Sequence, residues 1–192
     1  MFYGMLMQAN HIGIFIVHLN GCLCRHRIIY MKEIVFLGLG TNLGHRISNL
    51  EQAVKSLSKI IQIRKISPIY QTEPWGFQDQ PSFLNQVVSA TTSFLPQDLL
   101  VKVKHLEVKL GREPTFHYGP RLIDVDILFY GNQIINQDNL IIPHPHIHER
   151  AFVLVPLADI APDFVHPILG LTVSELLERV DCEGVIKINP ES

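Results

Sequence analysis

The sequence has little cysteine and no long apolar segment, and both features limit what the protein can be. Three cysteines, Cys22, Cys24 and Cys182, follow neither the spacing of a disulfide framework nor a CxxC metal motif. The apolar run Ile12–Leu19 is too short to span a bilayer, and no Lys or Arg precedes it, as one would in a secretory signal. We therefore expect a cytoplasmic protein without a membrane partner.

The sequence also lacks an excess of charge of either sign. Its 192 residues include 16 Lys and Arg against 18 Asp and Glu, which gives a net charge of −2 and a pI near 6.5. Binding a nucleic-acid backbone usually requires a basic surface. We therefore expect small-molecule substrates and no nucleic-acid partner, and we expect a monomer.

Charge is unevenly distributed along the chain. Residues 1–30 contain no acidic residue and two basic ones, Arg25 and Arg27, whereas residues 31–192 contain 14 basic and 18 acidic residues. Residues 1–30 are expected to be an extension upstream of a functional start at Met31. The apolar content of 47% is enough for a sizeable core, and the length predicts a single domain over residues 31–192.

Apolar runs and turn residues predict an alternation of strands and helices. Strands are predicted at Glu33–Gly40, Ile61–Ser67, Asn85–Thr92 and Ile123–Tyr130, and helices from a cap at Asn49 and from Pro96 to Gly111. This βαββαβ order is typical of an α+β, ferredoxin-like fold with an antiparallel sheet and helices on one face. A strand at Gln133–Asn136 and a helix at Thr172–Val180 are predicted to follow. Long polar loops are predicted at Pro68–Pro81 and Arg112–Arg121.

Asp124 and Asp126 are the sharpest chemical signal. Residues two apart on a strand point to the same face, so these two carboxylates are predicted to lie side by side and to need a cation. Oxygen ligands of this kind suit Mg²⁺, and the nearby Arg121 is what a polyphosphate would require. The alternative is a solvated face of an edge strand without a metal.

Other familiar site motifs are absent or weaker. There is no Walker A sequence, and Gly38–Gly44 lacks the lysine of one, so it is interpreted as a tight strand-to-helix connection. Three alternating histidines, His144, His146 and His148, could bind zinc if they shared a strand face. Because prolines interrupt this stretch, a single histidine that contacts a phosphate is favoured.

Five sequence blocks occur in order between Met31 and Val180. They are Thr72–Gly76 (TEPWG), Gln78–Asn85 (QDQPSFLN), Leu110–Arg112 (LGR), Gly119–Leu128 (GPRLIDVDIL), and Pro143–Pro145 (PHP) with Glu149–Leu154 (ERAFVL). Together they closely resemble the 6-hydroxymethyl-7,8-dihydropterin pyrophosphokinases of folate biosynthesis. The resemblance implies a ferredoxin-like enzyme that transfers pyrophosphate from ATP to the pterin's hydroxymethyl group and releases AMP.

The resemblance also implies a role for individual residues. Asp124 and Asp126 would hold two Mg²⁺ ions, and Arg112 and Arg121 would act with them on the phosphates of ATP. The residues implied in pterin binding are Thr72, Trp75, Phe83, Asn85 and Phe152. The residues implied in ATP binding are Glu107, Tyr118, His144 and Arg150.

The chain departs from the family pattern at a few positions, and other functions stay open. Tyr118 stands where Trp is usual, His146 replaces a frequent Arg, and the loop Glu113–His117 lacks the usual basic residues. One alternative is a nucleotidyltransferase, which also uses an Asp-x-Asp strand but places a Gly-Ser turn shortly before it. Another is an RNA-recognition module of the same βαββαβ order, whose sheet aromatics are missing here.

Overall fold

The order of strands and helices follows the apolar runs of the sequence. The computed structural model describes residues 32–74, 77–116 and 119–189, so the predictions for residues 1–30, Trp75 and Tyr118 lie outside the described residues. The strands are β1 (Glu33–Thr41), β2 (Gln62–Ile66), β3 (Ile69–Thr72), β4 (Phe83–Thr92), β5 (Asp124–Tyr130), β6 (Ile135–Gln137), β7 (Leu140–Ile142) and β8 (Ile186–Ile188). The helices are α1 (Arg46–Leu57), α2 (Pro96–Lys109), α3 (Ala151–Ile160) and α4 (Val173–Leu177), with a 3₁₀ turn at Ile147–Glu149.

The main sheet has the strand order of the predicted fold. Its order is β5-β1-β4-β3-β8, with β2 also paired to β4, and every pairing is antiparallel. β2 and β3 follow one another along β4 and are separated by Ser67 and Pro68, so together they take the place of one strand. The predicted α+β, ferredoxin-like order is therefore confirmed, with one of its strands broken in two.

Helices α1 and α2 cover one face of this sheet. Leu50, Ala53 and Leu57 of α1 are fully buried, because their helical spacing directs them to a single stripe. From α2, Leu99 and Val103 join the same core. The central residues of β1 and β5 that face these helices, Val35, Leu37, Leu39, Val125 and Ile127, are apolar, and their alternation favours this register of the sheet.

Helices α3 and α4 follow the βαββαβ core in the chain and cover the opposite face, whereas the two helices of the core lie on one face as expected. Phe36 of β1 and Phe129 of β5 point to this side, where they pack with Leu154 and Leu157 of α3. The antiparallel sheet carries apolar residues on both faces, and each face requires its own cover. The Tyr70 hydroxyl on β3 also donates to Asp159 Oδ2 of α3 at 2.6 Å, which fastens this helix to the sheet.

Several element boundaries differ from the predictions. Helix α1 begins at Arg46, so Asn49 lies inside the helix and is not its cap. Its side-chain Nδ2 donates instead to the carbonyls of Leu43 and Leu122, which joins two loops. Strand β3 occupies the start of the predicted loop Pro68–Pro81.

The later elements are shorter than predicted. Strand β6 begins at Ile135, because Gln133 N donates to Tyr130 O in a turn. Thr172 caps the start of α4 through a reciprocal pair of hydrogen bonds with Glu175. The helix ends at Leu177, three residues before the predicted end at Val180. Within residues 32–74, 77–116 and 119–189, no helix is long and apolar enough to cross a membrane.

Candidate active site

A cavity of about 290 Å³ opens on the α3 face of the sheet, where β1, β4 and β5 come together. Most of the residues that the sequence singled out line this cavity. The predicted site residues in its wall are Thr72, Phe83, Asn85, Arg112, Arg121, Asp124, Asp126, His144, Arg150 and Phe152. Residues from strands, loops and a helix therefore converge on one concave site, as small-molecule sites require.

Two glycines of β1 form part of the cavity wall. Gly38 pairs with Asp126 and Gly40 with Asp124 across the β1–β5 ladder. A Cβ at Gly38 would lie 3.3 Å from Leu128 Cδ2, and one at Gly40 would lie 3.5 Å from Asn85 Oδ1. These glycines belong to the strand, so the interpretation of Gly38–Gly44 as a strand-to-helix connection was wrong over its first part. Their lack of side chains leaves room beside the aspartates.

Asp124 and Asp126 both face this cavity, as the strand period predicted. Burial opposes ionisation of Asp124, but the charges of Arg121, Lys104 and Arg112 outweigh it and hold the pKa of Asp124 below its usual value. Burial and then the negative charge of Asp124 raise the pKa of Asp126 to about 6. Of the two carboxylates, Asp126 is therefore the one whose charge is less well compensated by neighbouring positive groups.

The main chain between the two aspartates is held by side chains of α2. β5 is at the edge of the sheet, and Val125 N donates to Glu107 Oε1 at 2.7 Å, while Lys104 Nζ donates to Val125 O at 3.2 Å. Glu107 is only 2% exposed, and burial raises its pKa although Lys104 and the Val125 hydrogen bond oppose that rise. Glu107 does not belong to the described cavity wall, and it contacts β5 through its hydrogen bond with Val125 N.

Two arginines connect the aspartates to the loops. Arg112 Nη1 lies 2.5 Å from both Asp124 Oδ1 and Glu107 Oε2, and Arg121 Nη1 lies 2.9 Å from Asp124 Oδ2. Arg121 is positioned by Asn42, whose Oδ1 accepts from Arg121 N at 2.8 Å. Both guanidinium groups therefore stand beside the carboxylates with further N–H donors to offer an anionic ligand.

The other part of the cavity is less charged. Asn85 Nδ2 donates to Thr72 Oγ1 at 2.8 Å. The side-chain oxygen Oδ1 of Asn85 takes no part in this hydrogen bond and is an acceptor on the same amide. Phe83 lies under the Arg121 guanidinium at 5.4 Å, and Phe152 lies under that of Arg150 at 5.6 Å. One buried and one partly buried aromatic face, with a few fixed polar groups, suit a flat heterocycle.

The three alternating histidines do not converge on one point. His144 lines the cavity, and its main-chain N–H donates to Leu128 O. Burial, followed by the charge of Arg150, lowers the pKa of the His144 ring to about 4. His146 and His148 instead lie beside Glu149. No group of three or more metal-ligating residues occurs in the described part of the chain, so the zinc alternative has no support in the geometry.

Sequence reasoning missed Lys104 and Asn42. Lys104 lines the cavity, and its Nζ lies 3.7 Å from Asp124 Oδ1 and 3.8 Å from Asp126 Oδ1. Its position three residues before Glu107, on the same helix face, was the available signal. Nothing in the spacing of Asn42 indicated its bridge to Arg121, which spans 79 residues of sequence.

Comparison with known proteins agrees with this geometry. A family model described as 7,8-dihydro-6-hydroxymethylpterin-pyrophosphokinase (HPPK) matches residues 36–162, a range that contains every described site residue above. The chain belongs to the HPPK family. The 2-amino-4-hydroxy-6-hydroxymethyldihydropteridine pyrophosphokinase of Aquifex aeolicus is 46% identical over 134 residues, covering 70% of this chain and 84% of that protein. The enzyme of the same name from Methylorubrum extorquens is 43% identical, covering 80% and 97%.

Some relatives of this HPPK chain are much longer. The folic acid synthesis protein fol1 of Pneumocystis carinii is 42% identical over 181 residues, which cover 91% of this chain but only 24% of that protein. Among solved structures, wild-type HPPK-DHPS of Plasmodium falciparum with pteroate aligns with a TM-score of 0.65 at 18% identity, over 78% of this chain and 42% of that one. That structural likeness supports the fold, and the chain spans less than half of these longer proteins.

Proposed function

We propose that the protein transfers a pyrophosphoryl group from ATP to 6-hydroxymethyl-7,8-dihydropterin. In this reaction the hydroxymethyl oxygen forms a bond to the β-phosphorus of ATP and loses its proton to solvent. The bond from the β-phosphorus to the oxygen that bridges it to the α-phosphorus breaks, and AMP leaves with that oxygen. The observation that carries the proposal is one cavity with paired aspartates and arginines in one part and buried aromatic and amide groups in another, in a chain of the HPPK family.

Asp124 and Asp126 are the residues that would hold Mg²⁺, and we propose two ions. The fit rests on the donor set: two carboxylates on one strand face, which both line the cavity. A positive group, Lys104 Nζ, already lies within 4 Å of both. Bound magnesium would neutralise charge on the phosphates of ATP.

Arg112 and Arg121 would bind the phosphates and hold them in line with the pterin alcohol. Both already pair with Asp124, so their guanidinium groups are fixed before ATP enters and lose little freedom on binding. Glu107 contributes indirectly, because it holds Arg112 and the main chain of Val125 in place. We propose this positioning role for Glu107 in place of the ATP contact that the resemblance implies, because its side chain is only 2% exposed.

The pterin would lie against Phe83 and Phe152, with Asn85 and Thr72 binding its polar edge. Substrate recognition by fixed buried amides is selective, since an analogue that lacks the matching group leaves them unpaired. His144 and Arg150 would contact the nucleotide, His144 as a neutral ring because of its low pKa. Trp75 and Tyr118 stay assigned to pterin and ATP, respectively, by the resemblance.

The test is AMP production from Mg·ATP with and without 6-hydroxymethyl-7,8-dihydropterin. Wild type should release AMP only with the pterin, and Asp126→Asn should lose at least 100-fold in kcat, roughly what electrostatic groups contribute in enzymes. Asp138→Asn, in the exposed β6–β7 turn outside the cavity wall, is the matched control and should retain wild-type activity. Full activity of Asp126→Asn would refute the assignment, and release of pyrophosphate would indicate a nucleotidyltransferase.

A further inference from the structure

Lys104 places a positive charge where the proposed function requires a divalent cation. Its Nζ lies 3.7 Å from Asp124 Oδ1 and 3.8 Å from Asp126 Oδ1, almost equally far from the two carboxylates. We propose that Lys104 is a built-in counter-cation of this pair, which competes with free divalent metal and leaves the aspartates only when the metal arrives with a polyphosphate. The inference rests on the proposed function, since it takes the two aspartates as the metal ligands.

The lysine is anchored on one side and free to move on the other. Its ammonium donates to Glu107 Oε1 at 2.8 Å and to Val125 O at 3.2 Å, two partners that α2 and β5 hold rigidly. The side chain is nevertheless 43% exposed, so the ammonium has room to exchange these partners for those of a ligand in the cavity. At nearly 4 Å from the aspartates the ammonium lowers the repulsion between them without filling their oxygen ligand positions.

A metal ion bound by these carboxylates would be close to the ammonium, and the two positive groups would repel one another. Free metal is then bound weakly while Lys104 stays in place. A polyphosphate changes this balance, because its oxygens can accept hydrogen bonds from the Lys104 ammonium as well as from Arg112 and Arg121 in the same wall. Metal and nucleotide would each bind more tightly in the presence of the other, by the same factor.

The experiment measures Mn²⁺ binding by electron paramagnetic resonance, because Mn²⁺, like Mg²⁺, prefers oxygen ligands. It is carried out with and without an ATP analogue that has a methylene group between its α- and β-phosphates. The variants are Lys104→Met, which keeps the apolar stem, Lys104→Gln and Lys104→Arg. Lys102→Met is the matched control on the same helix, where Lys102 Nζ lies 4.4 Å from the Phe94 ring centroid and away from the cavity wall.

Lys104→Met and Lys104→Gln should bind Mn²⁺ alone about tenfold more tightly than wild type, and the gain in Mn²⁺ affinity caused by the analogue should shrink. Lys104→Arg and Lys102→Met should behave as wild type. Circular dichroism verifies folding, and Lys104→Gln decides the question if Lys104→Met does not fold. Unchanged Mn²⁺ affinity in the neutral variants would overturn the inference. Because the assay needs neither pterin nor turnover, failure of the proposed pyrophosphokinase activity would be seen separately.

Discussion

The hydrogen bond between Tyr70 and Asp159 is the clearest single contact that holds α3 on the sheet. The hydroxyl donates to a carboxylate at 2.6 Å, and burial together with Asp159 raises the pKa of Tyr70 to about 12. A bond to a charged acceptor contributes about 1.5–3 kcal/mol, but Asp159 is exposed and can bind water when the hydroxyl is removed. We therefore expect Tyr70→Phe to lower the free energy of unfolding by about 1 kcal/mol, below the range for charged acceptors and typical of a hydrogen bond between neutral groups.

Asp159→Ala should cost more than Tyr70→Phe, about 1–3 kcal/mol, because it leaves the hydroxyl of a side chain that is only 7% exposed without its acceptor. Urea unfolding at pH 7 of wild type, both single variants and the double variant gives the coupling, expected near 1 kcal/mol. Tyr70 has a raised pKa, so its contribution is complete below pH 10 and is lost as the pH rises toward 12. A coupling indistinguishable from zero would refute this account of how α3 is held.

Three further predictions concern the site and its supports. Asn85→Leu removes the donor to Thr72 and should raise KM for the pterin at least tenfold, while KM for ATP stays within about twofold of wild type. Initial rates measure both constants, and equal effects on the two would contradict the assignment of Asn85 to the pterin. Asn49→Ala should destabilise the fold by about 1–2 kcal/mol in urea unfolding, because two carbonyls lose their donor, one of them that of Leu122; no change would show that water replaces the amide. Burial lowers the pKa of His144 to about 4, so on acidification the unfolded chain binds a proton at this residue before the folded protein does. The free energy of unfolding should therefore fall by about 2–3 kcal/mol between pH 6.5 and 4 because of this residue. His144→Gln should lack this part of the pH dependence of the free energy of unfolding.

The elements with a strong local pattern were predicted well. β1, β4 and β5 are apolar runs that end at glycines or polar residues, and α2 carries a clear stripe from Leu99 to Leu106 after Pro96. The alternation of Asp124 and Asp126 fixed their common face, because the period of a strand leaves no other arrangement.

Helix α3 escaped prediction for an identifiable physical reason. Its sequence, Ala151–Ile160, is apolar on nearly every side and contains Pro156, so it lacks the amphipathic period that marks a surface helix. It is buried on the second face of the sheet, and only the tertiary structure shows that this face needs a cover. The paired strands β3 and β8 are short and gain their stability from neighbours, which a local pattern does not report.

The site shows the same division between local and long-range information. The sequence blocks singled out Asp124, Arg112 and Phe152, and the structure places all three in one cavity wall. The roles of Lys104, Glu107 and Asn42 depend on contacts with residues brought together only by folding. The sequence named Glu107 only as a residue implied in ATP binding, and its contacts with Arg112 and Val125, like that of Asn42 with Arg121, depend on partners that are distant in the sequence or defined only by folding.

The most direct test of the central claim is the identity of the products, measured by ³¹P NMR with Mg·ATP, 6-hydroxymethyl-7,8-dihydropterin and wild-type protein. The account predicts AMP together with a pterin that carries two coupled phosphorus nuclei, because the β- and γ-phosphates are transferred as one group. A pterin with a single phosphorus and ADP would contradict it, as would AMP that accumulates at the same rate without the pterin.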